Sequence, residues 1–297
     1  MNMNNKSFTL IELLVVIVII GILAGVIMIS TSSSIDKASL AKVKVFEESL
    51  KNDLMINLLS EWKLDGNTND SWGSSNGTLK EISYASACDT SHCPQVIQNC
   101  VSKDCYYFES NDYIEITDNQ GLKIGTDDFT IAAWIKTNAA KEHGRNIVGR
   151  YNPGFLLRNQ YGGIEFGVNN GTWQCTQWGV GSTNLDDNKW HYIIGMRDVR
   201  NNALKMFFDG VEKFNTAGNT ITNISGDLTS NTKNWQIGSL SADWDYIGYI
   251  DEVKLYNAAL SSSEIKQNYI AGLNSLLSSG TISKKEYDER VNNLAKK

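Results

Sequence analysis

Four cysteines, Cys88, Cys93, Cys100 and Cys105, lie close together as C-x4-C-x6-C-x4-C. Thiols so spaced pair as disulfides in an oxidising compartment, or bind zinc as thiolates, here with His92 as a candidate fourth-ligand neighbour. Four cysteines allow three pairings, and the spacing does not choose among them; Cys175 is left over. A second group is built from oxygen. Asp65, Asn67 and Asp70 are spaced along one turn as hard ligands for a structural calcium would be. The same side chains could instead cap their own turn through Asx hydrogen bonds. A third group is aromatic. Trp173 and Trp178 flank Cys175, and Trp244 and Tyr246 sit in an Asp-rich loop. Their flat faces suit stacking on sugar rings, or filling an interior.

Nothing in the chain assembles a catalytic set. His92, His143 and His191 form no H-E-x-x-H, and no G-x4-G-K-[ST] occurs. The carboxylate pairs Asp127-Asp128, Asp186-Asp187 and Asp251-Glu252 are adjacent in sequence. In a strand, neighbours point to opposite faces, so such a pair cannot act together on one substrate. The expectation is a protein that is not an enzyme. With 33 acidic and 27 basic residues the net charge is −6, and no basic patch marks a nucleic-acid partner.

One further carboxylate stands apart. Glu12 is the lone ionisable group in residues 8–29, an apolar run of 22 residues. As a helix that run is roughly 33 Å long, enough to span a bilayer core. A carboxylate inside hydrocarbon costs roughly 2.5–3.5 kcal/mol on insertion scales, so Glu12 needs a cationic partner. The sequence KSFTLIEL at residues 6–13 resembles the processing motif of type IV prepilins and pseudopilins. The resemblance implies cleavage by a prepilin peptidase between Ser7 and Phe8, with methylation of the new terminus. It makes Phe8 the first mature residue and Glu12 the fifth, the position that pairs with the terminal amine of a neighbouring subunit in assembly. Ser7 departs from the pattern, where Gly is usual. Lys6 on the leader orients the span with its head outside the cytoplasm.

The elements that carry these groups follow in order. The leader is residues 1–7, and a long helix is expected over 8–59, transmembrane to 29 and then amphipathic. Val43, Phe46, Leu50, Leu54 and Leu58 form its apolar stripe. Beyond it the period shortens, and many short alternating runs argue an all-β sandwich. Asp209-Gly210 between two such runs is a hairpin signal. Segments such as WKLDGN at 62–67, DYIEI at 112–116, DFTIAAWIK at 128–136, KWHY at 189–192 and YIDEVKLYNAALS at 249–261 resemble successive landmarks of the concanavalin A-like, laminin G-like jelly roll. The resemblance covers roughly 60–260 and adds Asp251 to the calcium candidates. Against it, residues 83–104 read as an inserted loop. Capping-box spacings at Ser261/Glu264 and Ser283/Glu286 start a helical tail over 261–297, read as an interaction piece or as solvated helix.

The fold class expected is therefore α+β, a long helix carrying a jelly-roll head with a short helical tail. The function implied is a minor or specialised pilin-like subunit, single-pass in the membrane, whose head binds a glycan or surface protein. The alternative is a structural pseudopilin of a secretion or DNA-uptake apparatus, with the jelly roll as spacer.

Overall fold

The computed structural model describes residues 55–82, 93–117, 122, 124–138, 144–150, 153–181, 185–214, 221–228, 233–240 and 244–295. The chain divides into two compact units, 1–55 and 56–297. Ser7, Phe8, Glu12, the apolar run 8–29, the amphipathic stripe to Leu54, and Cys88 all lie outside the described residues. Among the described residues no helix is long and apolar enough to cross a membrane.

The second unit is a sandwich of two antiparallel sheets. Sheet A runs β13 (Val211–Lys213), β12 (Ala203–Phe208), β11 (His191–Asp198), β6 (Phe129–Lys136), β15 (Gly248–Tyr256), β4 (Asp104–Phe108) and β3 (Gln95–Gln98), with β1 (Leu58–Trp62) also paired to β15. Sheet B runs β10 (Trp173–Trp178), β9 (Gly163–Asn169), β8 (Gly154–Gln160), β7 (Gly144–Arg150), β14 (Trp235–Gly238), β5 (Asp112–Ile116) and β2 (Gly77–Glu81). The inner faces meet over Trp62, Phe108, Ile131, Phe155, Phe166 and Trp235, all fully buried. Each such side chain contributes roughly 1.5–3 kcal/mol by leaving water. The β12–β13 hairpin turns on Asp209 (φ 51°) and Gly210 (φ 75°), the two positive-φ positions that a type I′ turn requires.

Close packing leaves no slack between the sheets. At Gly195 in β11 an added Cβ would collide with the ring of Phe166, which itself meets Phe129 edge-on at 5.9 Å. Gly195→Ala is expected to cost about 1–3 kcal/mol, read from the urea midpoint of the full-length protein in detergent. An unchanged midpoint would mean that Phe166 has room to move.

Two expectations change at the ends of the head. Leu58 and Leu59 belong to β1 and not to the preceding helix, with Leu58 opposite Tyr256. The i, i+4 spacing from Leu54 to Leu58 continues the helical stripe by arithmetic, but pairing with β15 satisfies the backbone of Leu58 instead. The C-terminal helices, α1 (Ser262–Ser278) and α2 (Lys284–Ala295), are not a solvated tail. Ser261 caps α1 through the full box with Glu264. From there α1 buries Ile265, Tyr269, Leu273 and Leu276. The Tyr269 ring stacks on Trp134 of β6 at 5.6 Å, with Tyr192 of β11 at 6.3 Å. Arg290 of α2 donates to the Trp190 carbonyl at 2.7 Å and to Glu286 at 2.7 Å. This cover explains β6, in which Phe129 to Ile135 are all buried: alternate residues face the sandwich core or the helix.

The inserted stretch also gains structure. β3 and β4 form a hairpin on the edge of sheet A, and a Cys100–Cys105 disulfide closes its turn. Cys93 is disulfide-bonded too, and Cys175 is a buried thiol outside any disulfide. With Cys100 and Cys105 paired to each other, the zinc alternative loses two of its four thiolates.

Candidate binding face

The carboxylate turn comes first, because its oxygens are already engaged. Asp70 Oδ1 accepts from the backbone N–H groups of Glu61 (3.0 Å), Trp72 (3.1 Å) and Gly73 (2.8 Å), and Oδ2 from that of Ser75 (3.0 Å). Burial works against its charge, but these donors outweigh burial and hold its carboxyl below the usual range. Asn67 Oδ1 accepts from Asn69 N–H at 2.9 Å, an Asx turn. Asp65 accepts from Ser102 Oγ (3.2 Å) and Asp104 N–H (3.1 Å). Asp251 accepts from Val101 N–H (2.9 Å), Ser102 N–H (3.4 Å) and Glu252 N–H (2.8 Å). Burial, with Glu252 adding to it, pushes the Asp251 carboxyl well above the usual range.

These residues do not fit calcium. A cation needs oxygen lone pairs converging on one point, and here the lone pairs meet N–H dipoles of the opposite sense. Among the described residues no group of three or more His, Cys, Asp or Glu could hold a metal. The capping alternative describes the turn, and Asp65 and Asp251 together pin the Cys100–Cys105 loop. Asp70→Ala is accordingly expected to cost more than about 3 kcal/mol by orphaning several buried N–H groups. Adding about 1 mM calcium should leave the melting temperature of the wild type unchanged. A calcium-dependent rise would restore the metal reading.

The four aromatics separate. Tyr246 is fully buried, its hydroxyl donating to the Tyr249 carbonyl at 3.3 Å, so it is a core residue and not a platform. Trp173 and Trp178 are five positions apart on β10, and a period of two sends them to opposite faces. Trp178 turns inward at the sandwich edge, against Phe208 (5.3 Å) and beneath Lys213 Nζ (4.5 Å). It lines an open groove of about 720 Å³ beside β13, but its ring faces are occupied. Trp173 turns outward on sheet B. Gly167 on β9 makes room for it, since any Cβ there would strike the indole.

On that outer face, the register brings Arg158, Glu165 and Gln177 side by side across β8, β9 and β10. Arg158 grips Glu165 bidentately, Nε at 2.8 Å and Nη2 at 2.6 Å from Oε1, and Gln177 donates to Glu165 Oε2. Trp244 stacks on the Arg158 guanidinium at 5.2 Å, and its carbonyl accepts from Asn146 N–H at 3.1 Å. Two indoles thus flank a fixed row of hydrogen-bonding groups. Of the four aromatics singled out from sequence, only Trp173 and Trp244 lie on this surface. Arg158 and Glu165 were missed, though a signal existed. Tyr161 and Gly162, both at positive φ, make the turn, and counting outward pairs half-buried Arg158 with buried Glu165 in otherwise apolar strands.

His191 is structural. Its ring lies between Asp209 (Nδ1, 2.9 Å) and Asp187 (Nε2, 3.1 Å) and packs on Phe208 at 4.6 Å.

The comparisons with known proteins agree with this geometry. Residues 2–28 match the prokaryotic N-terminal methylation motif. No curated protein matches the chain. Among solved structures, it is similar to domain 4 of AbnA, an extracellular arabinanase of Geobacillus stearothermophilus, seen in complex with arabinotriose. That match has TM-score 0.55 and 18% identity, over 71% of this chain and 97% of that one. It is also similar to the binding domain of Paraclostridial Mosquitocidal Protein 1 (TM-score 0.56, 16% identity, 74% of this chain and 53% of that one). A third similarity is to the binding domain of botulinum neurotoxin DC, in complex with rat synaptotagmin II (TM-score 0.53, 14% identity, 75% and 52%). The chain spans about half the length of the two toxin domains, and identities this low establish the fold alone. Residues 108–266, more than half of the sequence, match the family profile itself. The chain belongs to the concanavalin A-like lectin/glucanases superfamily and carries a prokaryotic N-terminal methylation motif ahead of that domain.

Proposed function

We propose that this protein is a type IV pilin-like surface subunit, single-pass in the membrane, whose head binds a glycan on the outer face of sheet B without doing chemistry on it. The observation that carries the binding reading is the row Arg158, Glu165, Gln177 between Trp173 and Trp244. Sugar recognition needs a flat apolar platform and a few hydrogen-bonding groups held in place, and this face has both. The C-terminal helices cover the outer face of sheet A, which leaves sheet B as the broad face for a ligand. The methylation motif supports processing by a prepilin peptidase and assembly with other pilin-like subunits. Many copies along a fibre would raise apparent affinity by roughly 10²–10⁴ over a single weak site.

The test is a glycan array probed with the full-length protein in detergent, wild type beside Trp173→Ala. Binding by the wild type, reduced at least about tenfold in the variant, supports the reading. No binding by either would hand the protein to the structural pseudopilin alternative. Assembly is tested separately. Glu12→Val is expected to stay in the membrane and to be absent from filaments, since its partner in assembly would be the Phe8 amine of a neighbour. Normal incorporation would remove Glu12 from that role.

A further inference from the structure

Among the described residues β13 is the last strand at one end of sheet A, and its outer edge opens into the groove of about 720 Å³. Trp178 of sheet B and Lys213 form one wall, and Ser262 and Lys266 of α1 form the other.

Register fixes what this edge offers. β13 pairs with β12 through Val211 opposite Phe208 and Lys213 opposite Met206. In a two-residue hairpin these are the hydrogen-bonded pairs, so the N–H and C=O of Glu212 point away from the sheet. Side chains alternate along the same edge. Lys213 lies on the sandwich side, its Nζ 4.5 Å from the Trp178 ring. Glu212, opposite Phe207, lies on the α1 side, and the same period carries Phe214 in that direction. Phe214 is 77% exposed. An open edge flanked by apolar side chains is a template for another strand.

The charges say which strand. A two-fold pairing of this edge with itself sets Glu212 opposite Glu212, or Lys213 opposite Lys213, and like charges so opposed repel. A strand from another protein instead meets two lysines, one on each side, against the single carboxylate of Glu212. Lys266 Nζ reaches the Leu294 carbonyl at 3.5 Å and joins no ion pair among the described residues.

We propose that β13 accepts an extended acidic segment of a partner protein as an added strand, its backbone bonded to Glu212 and its carboxylates held by Lys213 and Lys266. Main-chain bonds supply affinity in such an addition, and the side chains on either face supply selectivity. The site lies at the open edge of the sandwich and needs nothing from the Trp173 face.

The experiment is fluorescence anisotropy of labelled hexapeptides with the full-length protein in detergent. One peptide is Thr-Val-Asp-Asp-Val-Thr, whose adjacent carboxylates point to opposite faces, and the comparator carries Lys-Lys at its centre. The Asp-Asp peptide should bind with a Kd below about 1 mM, and the Lys-Lys peptide at least about tenfold more weakly. N-methylation of both central residues, which blocks pairing along either edge, should abolish binding. Glu212→Pro deletes the outward N–H, leaves the ladder to β12 in place and should also abolish binding, with near-UV circular dichroism unchanged. Glu212→Gln keeps that N–H and should bind at least as well as the wild type. Lys266→Glu should lose at least about tenfold. No binding of the Asp-Asp peptide up to about 1 mM would overturn the proposal. So would binding that survives N-methylation, which would reduce the contact to charge alone, or binding lost in Trp173→Ala, which would move the peptide to sheet B. A dimer seen by sedimentation velocity and lost in Glu212→Pro would also overturn it, by placing a second copy in the groove.

Discussion

Ending the chain at Leu260 is expected to leave a head that does not hold its native packing. Without α1 and α2 the outer face of sheet A presents Trp134, Tyr192, Ile194 and Phe207, all at most 3% exposed in the intact protein. The register puts these four on one continuous surface across β6, β11 and β12. Burying each is worth roughly 1.5–3 kcal/mol, and the lost partners Ile265, Tyr269, Leu273 and Leu276 double the effect. The sum rivals the 5–15 kcal/mol by which a typical domain is stable at all. Tyr269→Ala alone should cost about 3–5 kcal/mol, since it removes one ring from the Trp134–Tyr192 stack. Near-UV circular dichroism and limited proteolysis decide the matter. A truncated chain with native ellipticity and an unchanged denaturation midpoint would reduce the helices to an appendage.

The second large effect is on pH. Burial alone would lower the pKa of His191, but the hydrogen bonds it donates to Asp187 and Asp209 outweigh burial and raise the pKa to about 9, from an ordinary 6.5. The folded-state value lies above the unfolded one. The clamp therefore contributes its full stabilisation below pH 6.5 and loses it as pH rises through about 9. The shift corresponds to something on the order of 3 kcal/mol. Asp209 also accepts from the Tyr192 N–H at 2.9 Å, so the same carboxylate ties the β12–β13 turn to β11. Urea midpoints of the wild type and His191→Gln, taken at pH 6, 8 and 10, should converge as pH rises. Other titrating groups are common to both proteins and cancel in the difference. Parallel profiles would mean that the imidazole is neutral between its two carboxylates.

Much of the sandwich was legible from alternation. Ile114 and Ile116 point inward while Tyr113 and Glu115 point out, as their spacing requires. Asp209-Gly210 marked its hairpin, and Ser261 with Glu264 marked the start of α1. Strands without that pattern escaped notice. β7 reads GRNIVGR, where two glycines and two arginines hide a buried strand, and β2 reads GTLKE. The helical stripe of α1 was visible, but its docking was not, because the evidence lay elsewhere in the chain: in the unbroken apolar run of β6, which needs cover on both faces. Site residues were harder. Asp and Asn on a tight turn look the same whether they hold a cation or their own backbone. What decides is where the N–H groups of Ser75 and Val101 point, and no spacing encodes that. For Trp173 and Trp178 the odd separation already implied opposite faces.

The position of β15 bears on how the head is made. It lies inside sheet A, hydrogen-bonded to β1, β4 and β6, and it supplies Asp251 to a loop 150 residues earlier. A ribosome delivers it last of all the strands described. Until then β1 has no partner in the sheet, although it is the first of these strands to emerge. Such long-range closure is slow and leaves strand edges open in the meantime. A nascent head is therefore expected to stay open to proteases until β15 slots in and α1 follows to cover it.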